Sequence, residues 1–417
     1  MKFYVEVYGC TANKSDANLV KGLIEQHPQH TLVFKLKDAD SIVILTCTVI
    51  STTEQRMLHR INELVHTGKQ VIIAGCMASV QQQLLKKQFP NSILISPQHI
   101  HLLFKIINNE QANGSLEKKA FAPKQCSTLI APVAIAEGCL FSCSYCITHL
   151  ARGKLYSYPE QAIINSVKEA VSNGCKEIQL TAQDTASYGI DKDSSLPGLL
   201  SKVLRIDMDF MIRLGMMNPR TAKNVLFDLI KKYQNDRIFS FVHIPIQSGD
   251  NTILQKMNRG YTIDEAINII ENFRKKIPDI TISTDAIVGF PTETKTQFQK
   301  TKHLLQQIKP DVINITRFSA RPFTKAKKMP GRIPTEIVKK RSRELSKICK
   351  NITTEKNKQY IGKTMPVIPL KKGKGNTVLA RSLNYKPVVI KKPVLLGEKR
   401  TVNIIDATET HLVGMLK

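Results

Sequence analysis

The strongest constraint on this chain is the regular return of short, continuous apolar runs separated by stretches with helical spacing. Ser41–Thr46 reads SIVILT and Gln70–Gly75 reads QVIIAG. Each is strand-length and apolar throughout, as expected of a strand covered on both faces. Between and around them, Asn13–Gln26 carries Leu19, Val20, Leu23 and Ile24 on one helical stripe, and Ser51–Val65 and Val80–Gln88 are helical as well. With the β-rich run Lys2–Gly9 in front, the order is βαβαβ, which predicts a small doubly wound parallel sheet.

A second series begins at Val133. Its predicted strands are Val133–Glu137, Glu177–Thr181, Phe210–Gly215, Phe239–Ile244, Thr281–Val288 and Val312–Thr316, with helices such as Glu160–Ser172 and Thr262–Lys276 between them. Six βα units predict a parallel barrel, partial or complete. The polar, turn-rich NNEQANGSLEKK and the prolines after it read as a linker. After Pro330, Thr335–Tyr360 is predicted as a long helix or helix pair. Short strands then recur at Thr364–Pro369, Thr377–Arg381, Pro387–Ile390, Arg400–Ile405 and His411–Met415, predicting a small all-β barrel. The expected fold class is α/β, divided as 1–107, linker 108–131, 132–353 and 354–417.

Composition excludes several classes. At 417 residues and 42% hydrophobic, the chain has apolar material for folded cores and is not a disordered tail. No apolar run approaches the ~18–20 residues that span a bilayer. The start MKFYVEVYGC lacks the features of a secretion signal. The expectation is therefore a cytoplasmic protein with no membrane partner. The 61 Lys and Arg outnumber the 34 Asp and Glu, a net charge of +27, which points to a polyanion such as nucleic acid. Thr335–Tyr360 carries eight Lys and Arg against three Glu, and residues 361–417 carry 11 against three acids. Lys339, Lys340, Arg341, Arg343 and Arg381 are the candidate phosphate contacts, with Tyr385 and Arg381 candidates for stacking on bases.

Nine cysteines in a reducing compartment are better read as metal ligands, reactive thiols or core residues than as disulfides. Cys139, Cys143 and Cys146 form C-x3-C-x2-C after the first strand of the second series. Three thiolates so close can hold three corners of an iron–sulfur cluster, leaving one iron open. A zinc site with His149 as fourth ligand is the alternative. Cys10, Cys47 and Cys76 each follow a predicted parallel strand of the first series. The carboxyl edge of such a sheet is where ligands bind, so these three also converge and form a second candidate cluster site. Cys126, Cys175 and Cys349 have no such partners; Cys126 falls in the linker and the other two read as packing residues.

The run EGCLFSCSYCITHLARG resembles the cluster motif of radical S-adenosylmethionine enzymes, including the aromatic Tyr145 before the last cysteine. Nearly the whole chain is similar to the methylthiotransferase family of that superfamily. YGCTANKSD, LTCTV and AGCMA look like its three N-terminal cysteine segments. LTAQDTASYG, HIPIQSGD, MNRGY and DAIVGFPTET look like its later barrel motifs, and RSLNYKPVVI looks like the strands of its RNA-binding TRAM barrel. Within the family the archaeal and eukaryotic branch is most similar. The resemblance implies a central radical S-adenosylmethionine partial (β/α) barrel and two 4Fe-4S clusters, one on each cysteine trio. It also implies transfer of a methylthio group to C2 of N6-threonylcarbamoyladenosine beside the tRNA anticodon. A flavodoxin- or ferredoxin-like electron donor is implied as a partner; the sulfur donor is unknown from sequence. At the strand ends, Gln183, Asp184, Gln247 and Gly289 are the candidate contacts to S-adenosylmethionine or the base; Asn218, Ser248, Phe290 and Pro291 sit in equivalent turns, and His243 reads equally well as a satisfied strand residue. Isopentenyl-adenosine tRNA, a ribosomal-protein aspartate, and a non-catalytic zinc-stabilised RNA-binding protein are the alternatives.

Overall fold

Along Ser41–Thr46 every residue is buried, but alternate side chains enter different cores. Val43 and Leu45 pack with Phe3, Leu19 and Ile24, whereas Ile42 and Ile44 pack with Met57, Ile61 and Leu64 on the other face. A strand with helices on both faces belongs inside a doubly wound sheet. The computed structural model describes residues 1–417 and shows that sheet. Its strands are β1 (Lys2–Val7), β2 (Thr31–Val33), β3 (Ser41–Thr46), β4 (Gln70–Gly75) and β5 (Ile93–Ile95), all parallel, in the order β2-β1-β3-β4-β5. That order reverses direction between β1 and β3, the switch point at which doubly wound sheets open a ligand crevice. The first helix begins at Thr11, two residues earlier than its apolar stripe suggests, and the stretch 76–88 forms two helices, Cys76–Val80 and Gln82–Gln88.

The stretch between the two series is folded and packed. Ser115 caps the helix Leu116–Phe121 by accepting the Lys118 N–H, and Lys119 and Ala120 of that helix are buried. The expected linker therefore contains a wedge that carries a buried cation.

The central region contains β6 (Ile130–Ala134), the short antiparallel pair β7 (Ala136–Glu137) and β8 (Tyr156–Ser157), then β9 (Glu177–Thr181), β10 (Met211–Leu214), β11 (Phe241–His243), β12 (Thr281–Val288) and β13 (Val312–Arg317). Parallel ladders run β10-β9-β6 and β11-β12-β13. The two halves meet through bridges Ile212–Ile238 and Met216–His243. The result is an open six-stranded partial barrel with helices outside it. The expected first strand, Val133–Glu137, is broken at Ile135, whose N–H bonds Thr181 O at 2.9 Å.

Thr335–Lys358 is a single helix of 24 residues, ~36 Å long at 1.5 Å per residue. It leads into β14 (Thr364–Lys372), β15 (Val378–Ser382), β16 (Pro387–Ile390), β17 (Arg400–Ala407) and β18 (Leu412–Leu416), a closed barrel in the order β14-β15-β16-β18-β17. Val367, Val388, Val402 and Leu412 fill its interior. The turn between β15 and β16 docks on the amino ends of the central strands: Ser240 N donates to Leu383 O, and Asn384 donates to Asp279 O. The small barrel thus seals the end of the partial barrel opposite the cysteines. No helix is long and apolar enough to cross a membrane.

Candidate functional site

The three N-terminal cysteines stand at the carboxyl ends of β1, β3 and β4, on or beside the switch point. Asn13 and Thr46 tie those ends together. Asn13 donates to Tyr8 O at 2.7 Å and Thr46 O at 2.9 Å, and Thr46 Oγ1 donates to Ala74 O at 2.7 Å. Gly9 has φ +98°, and a Cβ there would lie 2.8 Å from Cys47 Cβ. Only glycine lets the Cys10 turn approach Cys47 so closely. Cys10 is exposed, while Cys47 and Cys76 are buried.

The loop from Cys139 to Cys146 is clamped from the other side by MNRGY. Ser144 N donates to Met257 O at 3.0 Å, Ser144 Oγ to Lys256 O at 2.8 Å, and Asn258 to Ser142 O at 2.9 Å. Buried Arg259 places Nη1 3.3 Å from Cys143 Sγ and Nη2 3.0 Å from Pro245 O. Phe141 N–H lies 3.5 Å from Cys139 Sγ, and the N–H groups of Thr148 and His149 face the Cys146 sulfur. In the other trio the Thr48 and Val49 N–H groups face Cys47. Burial pushes the thiols of Cys76 and Cys139 up to about 12, so a bound metal must displace their protons. Two sets of three thiols, with N–H donors aimed at sulfur, fit iron–sulfur ligation.

Arg152 joins the two sides. Its guanidinium donates to Asn13 Oδ1 at 2.9 Å, Asp16 Oδ2 at 2.7 Å and Glu137 Oε1 at 2.7 Å, and it also lies against Cys76, where its charge favours the thiolate. Lys119 completes the cluster through Asp16, at 2.9 Å, and Glu137. All four charges are buried. Arg152, Asn13 and Arg259 escaped the sequence reading as site residues, although each lies within a quoted motif. Spacing in one motif says nothing about a partner more than a hundred residues away.

Between the trios is a cavity of about 270 Å³. Tyr145, Cys146 and Gln247 line one side of it, and Val49 and Ile50, just past Cys47, line another. Tyr145 packs against the cluster formed by Ile253, Met257, Ile287 and Phe290. Gln247 holds φ +77°, with its N–H on Asp285 O at 2.8 Å. Gln183 Oε1 is a buried acceptor without a partner, as a residue awaiting a ligand would be.

Four expectations change. The Asp184 carboxylate is buried and fully engaged within the protein: it accepts from Ala186 N, Asn218 N at 3.0 Å and Thr221 Oγ1 at 2.7 Å. Burial raises its pKa to about 6, and it positions the turns after β9 and β10 instead of facing a ligand. Gly289 is packed against the long helix, where its N–H donates to Glu293 at 3.0 Å. Tyr385 cannot stack on a base. Its ring is buried between Phe239 and Phe241, with centroids 4.9 Å from each, and its hydroxyl donates to Glu177 at 2.6 Å. Arg381 lies over that ring, 4.5 Å from the centroid, half-buried in the wall of an open cleft. Among the helix cations, Arg341 bonds Glu293 at 2.8 Å and Lys339 bonds Glu336 at 2.9 Å, whereas Lys340 and Arg343 have no carboxylate partner and are exposed. His243 pairs with Asp285 at 3.0 Å. Cys126 and Cys175 both donate to Thr128 O, at 3.4 and 3.1 Å. Cys349 is buried in the core, as expected of a packing residue.

Comparison with known proteins agrees with this arrangement. Residues 133–305 match the Radical SAM superfamily, and residues 2–96 match Uncharacterized protein family UPF0004. The fold is similar to that of the radical S-adenosylmethionine methyltransferase TsrM from Kitasatospora setae, with TM-score 0.54 over 78% of this chain and 76% of that one at 11% identity. The chain is 41% identical to the "Probable threonylcarbamoyladenosine tRNA methylthiotransferase" of Methanocaldococcus jannaschii, over 100% of this chain and 97% of that one. It is 38% identical to the Archaeoglobus fulgidus protein of the same description, over 100% and 99%. It is 30% identical to the Homo sapiens threonylcarbamoyladenosine tRNA methylthiotransferase, over 99% and 73%. With full-length similarity of this degree, the chain belongs to the threonylcarbamoyladenosine tRNA methylthiotransferase family of radical SAM proteins.

Proposed function

We propose that this protein transfers a methylthio group to C2 of N6-threonylcarbamoyladenosine next to the tRNA anticodon. The observation that carries this reading is the cavity bordered by Cys146 and by the loop leaving Cys47. An aromatic C–H has no leaving group and no useful acidity, so side-chain acid–base chemistry cannot replace its hydrogen with sulfur. Held by Cys139, Cys143 and Cys146 and by Cys10, Cys47 and Cys76, two 4Fe-4S clusters with S-adenosylmethionine would supply the radical and present the sulfur that the reaction needs. The protein's own task is to hold the base between them. The switch-point sheet carries one trio, the barrel mouth carries the other, and the buried Arg152 cluster fixes their separation. Gln183, Gln247 and Tyr145 are assigned to cosubstrate and base contact. The division 1–107, 108–131, 132–353 and 354–417 serves as the functional division of the chain. The setting is cytoplasmic, with a flavodoxin- or ferredoxin-like electron donor and a separate sulfur source.

The test is anaerobic reconstitution followed by iron and sulfide analysis, 5′-deoxyadenosine assay and nucleoside analysis of tRNA. About eight irons are expected, falling to about four when Cys139, Cys143 and Cys146 are all replaced by Ala. Cys143→Ala abolishes 5′-deoxyadenosine formation. Cys47→Ala retains it but yields no methylthio product. Zinc without iron, or iron unaffected by the triple substitution, overturns the reading.

A further inference from the structure

The cavity beside Cys146 shares a wall with a second one of about 460 Å³. Ile50, Thr316, Arg317, Phe318 and Ser319 line both. The second cavity runs away from the cysteines towards the start of the long helix, and Arg332, Ser51, Thr52 and Thr335 complete its polar lining. No Asp or Glu lines it. Neither arginine has a carboxylate partner. Arg317 makes no side-chain hydrogen bond, and Arg332 donates only to Lys327 O, at 2.9 Å. Nearby guanidinium groups are engaged: Arg321 binds Glu54, and Arg341 binds Glu293. Two unopposed guanidinium groups among hydroxyls form a site for a carboxylate, which their planar fork matches.

Purine geometry says which carboxylate. C2 and C6 flank N1, so a base whose C2 faces the cysteine trios directs its N6 substituent into the neighbouring space. A threonylcarbamoyl group ends in a carboxylate and a hydroxyl. An isopentenyl group has neither, and would leave both arginines unpaired against an apolar chain. We infer that Arg317 and Arg332 form the subsite for the carboxylate of an N6-amino-acyl-carbamoyl substituent, and so select this nucleoside over apolar N6-modified adenosines. The inference rests on the function proposed above and adds the residues that read the substrate.

The test compares two anticodon stem-loop RNAs, one carrying threonylcarbamoyladenosine and one carrying its methyl ester, with the reconstituted full-length enzyme. The ester removes the charge and keeps the rest. The wild type should show kcat/KM about 10- to 100-fold higher on the acid, the range set by a charge-assisted hydrogen bond. In Arg317→Ala and in Arg332→Ala that ratio should fall towards one, because the ester and the missing guanidinium remove the same interaction. Arg317→Lys should keep part of the ratio, since the charge remains and the fork is lost. A wild-type ratio near one, or an undiminished ratio in both Ala variants, overturns the subsite alone. No methylthio product from the wild type on either RNA overturns the proposed function and the subsite with it.

Discussion

Arg152 shows how one residue can hold two functional elements in register. Its side chain is 2% exposed, as is that of Glu137, so the charges survive only because each faces its opposite. The cluster contains two cations, Lys119 and Arg152, and two anions, Asp16 and Glu137, drawn from four separate segments. Replacing one member strands the others in a low-dielectric site. Arg152→Met is therefore expected to cost about 3–5 kcal/mol in denaturant unfolding, and a loss under 1 kcal/mol would show that water reaches the cluster. His101 lies against the same region. Both its ring nitrogens are buried without partners, and Lys119, His99 and Lys118 face it. Burial and these cations lower its pKa to about 4 from the usual 6.5. The folded protein keeps the ring neutral where the unfolded chain takes up a proton, so stability falls as pH drops from 6.5 towards 4. Thermal unfolding midpoints across that window should flatten in His101→Gln. An unchanged slope would assign the acid sensitivity to other groups.

At the scale of elements, the end of β12 is locked to the long helix. Gly289 has φ +80°, and a Cβ there would lie 2.5 Å from Val338 Cγ2. Gly289→Ala should lower stability by about 1–3 kcal/mol through strain and overpacking. Adding Val338→Ala should recover the packing share and leave the backbone share; equal Tm values for the single and double variants would refute the contact. The elements legible in the sequence were those buried on both faces, such as β3 and β4, because uniform burial writes a continuous apolar run. β2 and β5, three residues each at the sheet edges, write no periodicity. The convergence of Cys10, Cys47 and Cys76 was legible because parallel topology brings all strand ends to one edge. The role of Tyr385 was not. An aromatic in a basic strand looks the same whether it meets a base or a neighbouring core, and only the docking of its turn on Phe239 and Phe241 decides between them.

At the scale of the whole molecule, the small barrel and the cysteine trios lie at opposite ends of the partial barrel, and Thr335–Lys358 spans the distance. Its amino end meets Gly289 through Val338, and its carboxyl end meets Asp311 through Lys356 at 2.9 Å. Four of its eight cations are held by carboxylates: Lys339, Arg341, Lys350 and Lys356. The other four, Lys340, Arg343, Lys347 and Lys358, are exposed and without carboxylate partners. Lys340, Lys347 and Lys358 fall in line at intervals of seven and eleven residues, with Arg343 one turn along, so they form one stripe. If the proposed function holds, this stripe is the track for the tRNA backbone, with the anticodon base at the cavity. Backbone contact of this kind releases counterions, so log K should fall linearly with log salt. Each lost phosphate contact removes about 0.7–0.9 from that slope. Replacing Lys340, Arg343 and Lys347 together with Gln should therefore flatten the slope by about 2–3 in filter binding from low to moderate salt. Arg341→Gln, whose guanidinium is already taken by Glu293, should change stability more than slope. If the triple variant binds tRNA with the wild-type slope, the RNA follows another face of the molecule.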